Sequence, residues 1–381
     1  MEKEEREKKL GEAKALYLRC RLDEAFSLFE KLARHGSGEA MYFLGEYYTQ
    51  GYGHIRRDEK KGALWRKRGA AAGSILAMLN TAYDLPADAP ARYRLPRELF
   101  PDILSLCRAG DIFAQNEIPD LYLYGIGTEK NVEEAIRWLK TAADRGFWRP
   151  MNKLGEIYWY GEDVERDEEE AVRWFRKASA MGYGDAELNL GMCWYSGTKK
   201  DYEKAASLFR RAFAHGALFA GDAANMMGLM HLEGNGVAKD RRAAFEWMKR
   251  AAEYDSVVGM NHLAVMYESG IGTPADEGKA EYWCRRAADR GHAEAACQYG
   301  IYQREKGHAK AAMRYFRQSA EKGNARGQTW LASCYLYGIG TKEDREEARK
   351  WLEKAAAQRD EAAIKLLKED MGIEYKGPFD T

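Results

Sequence analysis

The chain has 381 residues, with 60 basic and 60 acidic side chains that leave a formal net charge of zero. A hydrophobic share of 45% is enough for a core and excludes a disordered tail, while the charge balance excludes a global electrostatic footprint for nucleic acid or an anionic membrane. Nothing approaches the roughly 20 consecutive apolar residues of a membrane helix, and the charged start Met-Glu-Lys-Glu-Glu has no apolar segment behind it, so a cytoplasmic protein without membrane insertion is expected.

In chain order, the first 36 residues are expected to form a capping repeat, charged at the outset and amphipathic from Leu10 to Arg34. Beyond them a unit recurs. Gly36, Gly73, Gly110, Gly146, Gly182, Gly216, Gly291 and Gly323 follow one another at steps of 32–37, with one double step spanning Asp255. Eight positions before these markers and their counterparts stand Trp65, Trp138, Trp174, Trp247, Trp283 and Trp351, and four positions after the Trp slot stand small residues such as Ala142, Ala178, Ala212, Ala251, Ala287 and Ala355. A large ring and a small residue on one helical face let neighbouring helices approach closely.

The first half of each unit also has helical spacing, as in Ala186-Glu-Leu-Asn-Leu190-Gly191-Met-Cys-Trp194. It ends in five units on a G-x-G: Gly51/Gly53, Gly125/Gly127, Gly234/Gly236, Gly270/Gly272 and Gly338/Gly340. These pairs are expected to be left-handed helix ends; none completes a phosphate-binding GxGxxG. Asp58, Asn131, Asp167, Asp201, Asp240, Asp276 and Asp344 then read as N-caps of the second helix, and Asn131/Glu134, Asp167/Glu170 and Asp344/Glu347 as capping boxes.

One unit departs from the pattern. Residues 83–119 hold five of the eight prolines, and Pro119 stands where other units have glycine, which predicts a rearranged loop and a following first helix that starts late or kinks. Residues 37–359 thus read as repeats with one irregular member, 360–381 as a C-terminal capping helix and tail, and 1–381 as a single solenoid domain.

The pattern LGxxYxxGxG, then Asp-x-x-x-Ala, Trp, Ala-Ala and Gly, resembles the Sel-one-like repeat (SLR) family, relatives of the tetratricopeptide repeats, over nearly the whole chain. The resemblance implies an all-α fold: a right-handed α/α superhelical solenoid of about ten helix-turn-helix repeats. It also implies a scaffold or adaptor that assembles other macromolecules, with no common reaction.

Asn116, Asn152, Asn225 and Asn261 recur three residues before the Gly/Ala slot of the first helix. By analogy with tetratricopeptide arrays this column lines a concave groove, together with Glu156, Trp159 and Tyr195. An amide both donates and accepts, so such a ladder is suited to the backbone of an extended peptide, with aromatics taking its side chains. The competing reading is that the amides bond to neighbouring helices. The corner aromatics Tyr52, Tyr124, Trp148, Tyr160 and Tyr337 are secondary anchors.

Cys20, Cys107, Cys193, Cys284, Cys297 and Cys334 form no CxxC pair and are expected to be small core residues in a reducing compartment. Without an HExxH or G-x-S-x-G motif, no catalytic residue, metal or cofactor is expected, and the partner is a protein or peptide. The alternatives are an enzyme or small-ligand binder using the groove, and a nucleic-acid binder built on Arg173, Arg176 and Lys177.

Overall fold

The computed structural model describes residues 3–216 and 219–375; the end of the C-terminal tail, 376–381, lies outside the described residues. Among the described residues there are twenty-one α-helices and no strand, so the fold is all-α. The chain divides into two compact units, Met1–Ala220 and Gly221–Thr381. In the first, helix pairs follow one another: α1 (Lys3–Leu18) with α2 (Leu22–Arg34), α3 (Gly38–Gln50) with α4 (Glu59–Ala71), α5 (Ile75–Tyr83) with α6 (Pro90–Arg108), α7 (Ile112–Tyr124) with α8 (Val132–Asp144), α9 (Trp148–Tyr160) with α10 (Glu168–Ala180), and α11 (Gly184–Ser196) with α12 (Tyr202–Ala214). The second begins with α13 (Ala220–Glu233) and α14 (Arg241–Glu253). It continues through α15 (Val257–Ser269) with α16 (Glu277–Asp289), α17 (Ala293–Glu305) with α18 (Ala309–Glu321), and α19 (Ala325–Leu336) with α20 (Arg345–Ala357), and ends on α21 (Glu361–Met371). Ten pairs and a closing helix match the expected count.

Packing within a pair rests on a notch. The slot residue Gly155 of α9 leaves no room for a Cβ, which would stand 2.5 Å from the Phe175 ring of α10; Gly191 and Gly300 face Phe209 and Phe316 in the same way. The residue seated in the notch is therefore the one after the Trp slot. These three rings are essentially fully buried, each contributing about 1.5–3 kcal/mol of transfer free energy. The Trp-slot rings lie beside this contact and carry a cation one turn on, as with Lys177 4.0 Å from the Trp174 centroid and Lys354 4.1 Å from that of Trp351. Small partners Ala142, Ala178, Ala212, Ala251, Ala287 and Ala355 are fully buried, as the spacing requires.

All seven predicted N-caps accept a hydrogen bond from a first-turn N–H of the second helix. The capping boxes need correction. The N–H groups of Asn131, Asp167 and Asp344 are donated to the carbonyls of Tyr122, Tyr158 and Tyr335 in the first helix of the pair. That bond sets the angle of the hairpin and leaves Glu134, Glu170 and Glu347 to pair with Arg137, Arg173 and Lys350 on their own helices. The three glutamates opening α10 do more than face a helix N-terminus: Glu168 accepts from the Thr198 N–H and hydroxyl, and Glu169 pairs with Lys199, which ties α10 to the loop after α11.

The proline-rich unit is rearranged as its composition predicts. Helix α5 stops after 9 residues while α6, opened by Pro90, runs for 19 with Pro96 and Pro101 inside it. In the preceding pair, α3 with α4, Arg66 takes the place of the seated ring against Gly45 and is buried, its guanidinium forked on Asp84 at the end of α5 (2.9 and 2.5 Å). The expected late start of α7 is not observed. Asp111 caps it in register, accepting from Phe113 and Ala114, and the helix runs its full 13 residues with Pro119 inside.

The second glycine of each G-x-G has its own role. Gly272 has φ 72°, and a Cβ there would collide with the Arg241 carbonyl oxygen at the start of α14. Gly323 has φ 84° but nothing within 4 Å of a Cβ. Both alanine substitutions meet a left-handed penalty of about 1–2 kcal/mol; Gly272→Ala also pushes two helices apart. Urea unfolding should therefore give a clearly larger loss for Gly272→Ala than for Gly323→Ala, and equal losses would remove the packing role.

Candidate functional site

The first helices of the first unit share a face, and its two ends differ. At the end where α7, α9 and α11 begin, the face is covered by the chain's own start. Tyr17, near the end of α1, is buried against Phe113 and Phe147 and lies 5.6 Å from Trp148 between ring centroids; its carbonyl accepts from Trp148 Nε1 at 3.2 Å. The Tyr183 ring lies tilted against Trp148, 4.1 Å away between centroids. The N-terminal unit thus covers its neighbour α3 and also helices more than a hundred residues on.

Midway along the face is a polar layer. Glu46 of α3 pairs with Arg149 of α9 at 2.9 Å, and both are largely buried. Glu117 of α7 accepts from Tyr42 (3.1 Å), Asn80 (3.2 Å) and Asn116 (3.0 Å). Burial, reinforced by the charge of Glu46, holds the Glu117 carboxyl above the ordinary carboxylate range, while Arg149 pulls it back. Asn152 donates to Glu156 (2.9 Å), and the Asn189 amide reaches both Asn152 (3.1 Å) and Glu156 (3.3 Å). Burial raises the Glu156 carboxyl in turn.

Towards the ends of α7 and α9 the face opens. Tyr124 and Tyr160, at the same place in consecutive repeats, are 64% and 66% exposed. Beside Tyr124, Lys153 pairs with Asp120 at 3.5 Å and lies 5.8 Å from the Tyr124 ring. Exposed tyrosine rings recurring at one place in consecutive repeats are what binding hot spots favour.

In the second unit the equivalent face is built on α13, α15 and α17. Asn225 Oδ1 is bonded to His262 Nδ1 at 2.7 Å, and burial holds the His262 imidazole below its usual pKa. Asn261 is 7% exposed, and no hydrogen bond to its amide is present among the described residues. Val258 and Val265 on the same helix are 42% and 43% exposed.

The Sel1 repeat model matches nine segments, residues 22–37, 38–74, 112–147, 151–183, 184–216, 221–253, 257–292, 293–324 and 325–360. This chain belongs to the Sel1 repeat family. The gap at 75–111 is the proline-rich unit, where the short α5 and long α6 replace the usual pair. Among solved structures, the chain is similar to a protective antigen of uropathogenic Escherichia coli displaying an SLR fold, at 27% identity and TM-score 0.58, over 92% of this chain and 76% of that one. It is also similar to a Sel1 repeat protein from Oxalobacter formigenes, at 26% identity and TM-score 0.58, over 90% and 89%. Sel1-repeat proteins serve in general as protein-interaction scaffolds.

Against this Sel1 frame, the residues singled out from the sequence separate. Asn152 and Glu156 come together, with Asn189 as a third member that the sequence reading passed over; its signal is the 37-residue step from Asn152. Asn116 turns to its neighbour Glu117. Trp159 lies under Arg166 and lines, with Val172, Arg176 and Trp194, a cleft of about 300 Å³. The Tyr195 ring meets Tyr202 and Phe209 of α12. Of the corner aromatics, Tyr52 and Trp148 are buried, contrary to an anchoring surface, whereas Tyr124, Tyr160 and Tyr337 are exposed. Cys107, Cys193, Cys284, Cys297 and Cys334 are buried as expected, and burial pushes the Cys107, Cys193 and Cys284 thiols up to about 12. No helix among the described residues is long and apolar enough to cross a membrane.

Proposed function

We propose that this Sel1-repeat protein is a non-enzymatic scaffold or adaptor that binds a protein or peptide on the face shared by its first helices. The observation that carries the reading is the repeated exposure of Tyr124 and Tyr160 beside Lys153, Asp120 and Glu156 on consecutive repeats. Rings held at such positions lose little entropy on binding and bury much area.

Two features weigh against the alternatives. Thiols raised to about 11–12 supply no thiolate at neutral pH, and the Glu117 carboxylate, whose shifted pKa would otherwise point to acid-base chemistry, is already held by Tyr42, Asn80 and Asn116. The basic residues of α10 are engaged within the protein: Arg173 with Glu170, Arg176 over Trp194 and Lys177 over Trp174. That disfavours a phosphate-binding strip. Free buried thiols agree with a reducing, cytoplasmic location.

A photo-crosslinking phenylalanine analogue placed at Tyr124 or Tyr160 should capture a partner in lysate of the host cell. The same probe at Arg173, on a second helix, should not. Capture only from Arg173 would move the binding surface off this face.

A further inference from the structure

Of the four asparagines in the column, Asn152 and Asn225 close rungs, Asn116 turns to its neighbour Glu117, and Asn261 is left open. Each closed rung links an asparagine to the residue 37 positions on, in the next first helix: Asn152 accepts from Asn189 at 3.1 Å, and Asn225 is bonded to His262 at 2.7 Å. The same step from Asn261 leads to Gln298. Gln298 does not complete the rung, because its amide NH₂ goes to Glu268 Oε1 at 3.2 Å and its oxygen takes Arg326 at 3.5 Å. Glu268 is fixed where it competes, since it also accepts from the Tyr302 hydroxyl at 3.0 Å.

Asn261 is therefore more than nine-tenths buried, yet its donors and acceptor are unused among the described residues, and its amide is not among the atoms sealed from solvent. That amide keeps contact with solvent, and leucine would fill similar space with a better helix propensity, so local stability does not call for asparagine here. What an unspent amide offers is a paired donor and acceptor, the complement of a peptide unit.

Its flanks specify the rest of the ligand. Val258 is three residues before Asn261 and Val265 four after, so all three share one helical face, with the valines about 40% exposed above and below the amide. Surfaces of exposed valine around a buried hydrogen-bonding centre suit a chain that presents peptide groups and branched apolar side chains in alternation, as an extended segment does.

We propose that Asn261, Val258 and Val265 form a reading site for the backbone of an extended peptide bearing Val, Ile or Leu side chains. The proposal rests on the scaffold reading and moves the specificity-determining contact to the second unit, where the amide is free, from the first, where Asn152 is already spent on Glu156 and Asn189.

The full chain is panned against a phage-displayed library of random linear peptides, and an enriched peptide is labelled for anisotropy titration. Expected are sequences rich in Val, Ile and Leu and a Kd raised about tenfold or more by Asn261→Leu, the effect of losing about two hydrogen bonds. Val265→Lys, at an exposed site, should weaken binding comparably without disturbing the core. Replacing one peptide N–H of the ligand by an ester should weaken binding to the wild type but not to Asn261→Leu.

The melting temperature of Asn261→Leu should be equal to or above that of the wild type, an outcome a structural asparagine would reverse. A lowered melting temperature, or an unchanged Kd in both variants, overturns the proposal. If Tyr160→Ala abolishes binding while Asn261→Leu and Val265→Lys do not, the scaffold reading survives and this site falls. If no peptide is enriched, this site falls, while the scaffold reading stands or falls on crosslinking at Tyr124 and Tyr160.

Discussion

Replacing Trp148 by alanine should destabilise the first unit by about 3–5 kcal/mol, the range for removing a buried large aromatic. Trp148 is fully buried, lies 5.6 Å from Tyr17, 5.8 Å from Tyr52 and 4.1 Å from Tyr183, and donates its indole N–H to the Tyr17 carbonyl. In a solenoid whose repeats touch only their neighbours, the damage would stay local. Here the contact spans 131 residues, and the Cys20 thiol meets the Gly182 carbonyl across 162. Loosening α9 therefore also loosens α1. Hydrogen exchange should show amides of α1, α3 and α9 losing protection together in Trp148→Ala. Tyr17→Ala should cost a similar amount, and the double variant clearly less than the sum, because the two rings share one contact. A loss below about 1 kcal/mol with protection changed only in α9 would mean that the first unit behaves as independent repeats.

That long-range contact marks where sequence reading stops. The Trp slots, the small residues four positions on and the seven N-caps were legible because each follows from helical periodicity or from chemistry within one turn. Trp148 was read as a corner aromatic for the opposite reason. Its register gives a position at the start of a first helix, but nothing local tells that Tyr17 returns to cover it. The asparagine column shows the same boundary more finely. Its positions were visible, and so, in principle, were the partners one step on, Asn189, His262 and Gln298. Whether a rung closes depends on competing acceptors: Glu156 joins the first rung, while Glu268 draws Gln298 away from the third. Such competition is tertiary. Pro119 gives a reverse case: of the late start or kink that the local rule predicts, the late start does not occur, because the Asp111 cap sets the beginning of α7 in register.

Arg149→Ala should be the most damaging charge removal, costing about 3–5 kcal/mol at neutral pH, because it leaves carboxylates largely buried without their counter-charge. Glu46 loses its ion pair at 2.9 Å, and Glu117 loses the cation that lowers its pKa against burial and the charge of Glu46. The sign of the pH effect follows from the direction of the Glu117 shift. A carboxyl whose folded pKa lies above its unfolded value holds more protons when folded, so its favourable contribution is complete below the unfolded carboxylate pKa and is lost as pH rises through the folded one. Without Arg149 the folded value rises further. The deficit of Arg149→Ala relative to wild type should therefore be largest at neutral pH and shrink as the pH falls through that raised value, as seen in urea unfolding at stepped pH. Adding Glu117→Gln to Arg149→Ala should recover part of the loss at neutral pH and flatten the dependence, since a neutral amide has no charge to strand. A deficit that stays constant with pH would mean that Arg149 acts through the packing of its aliphatic stem rather than through charge.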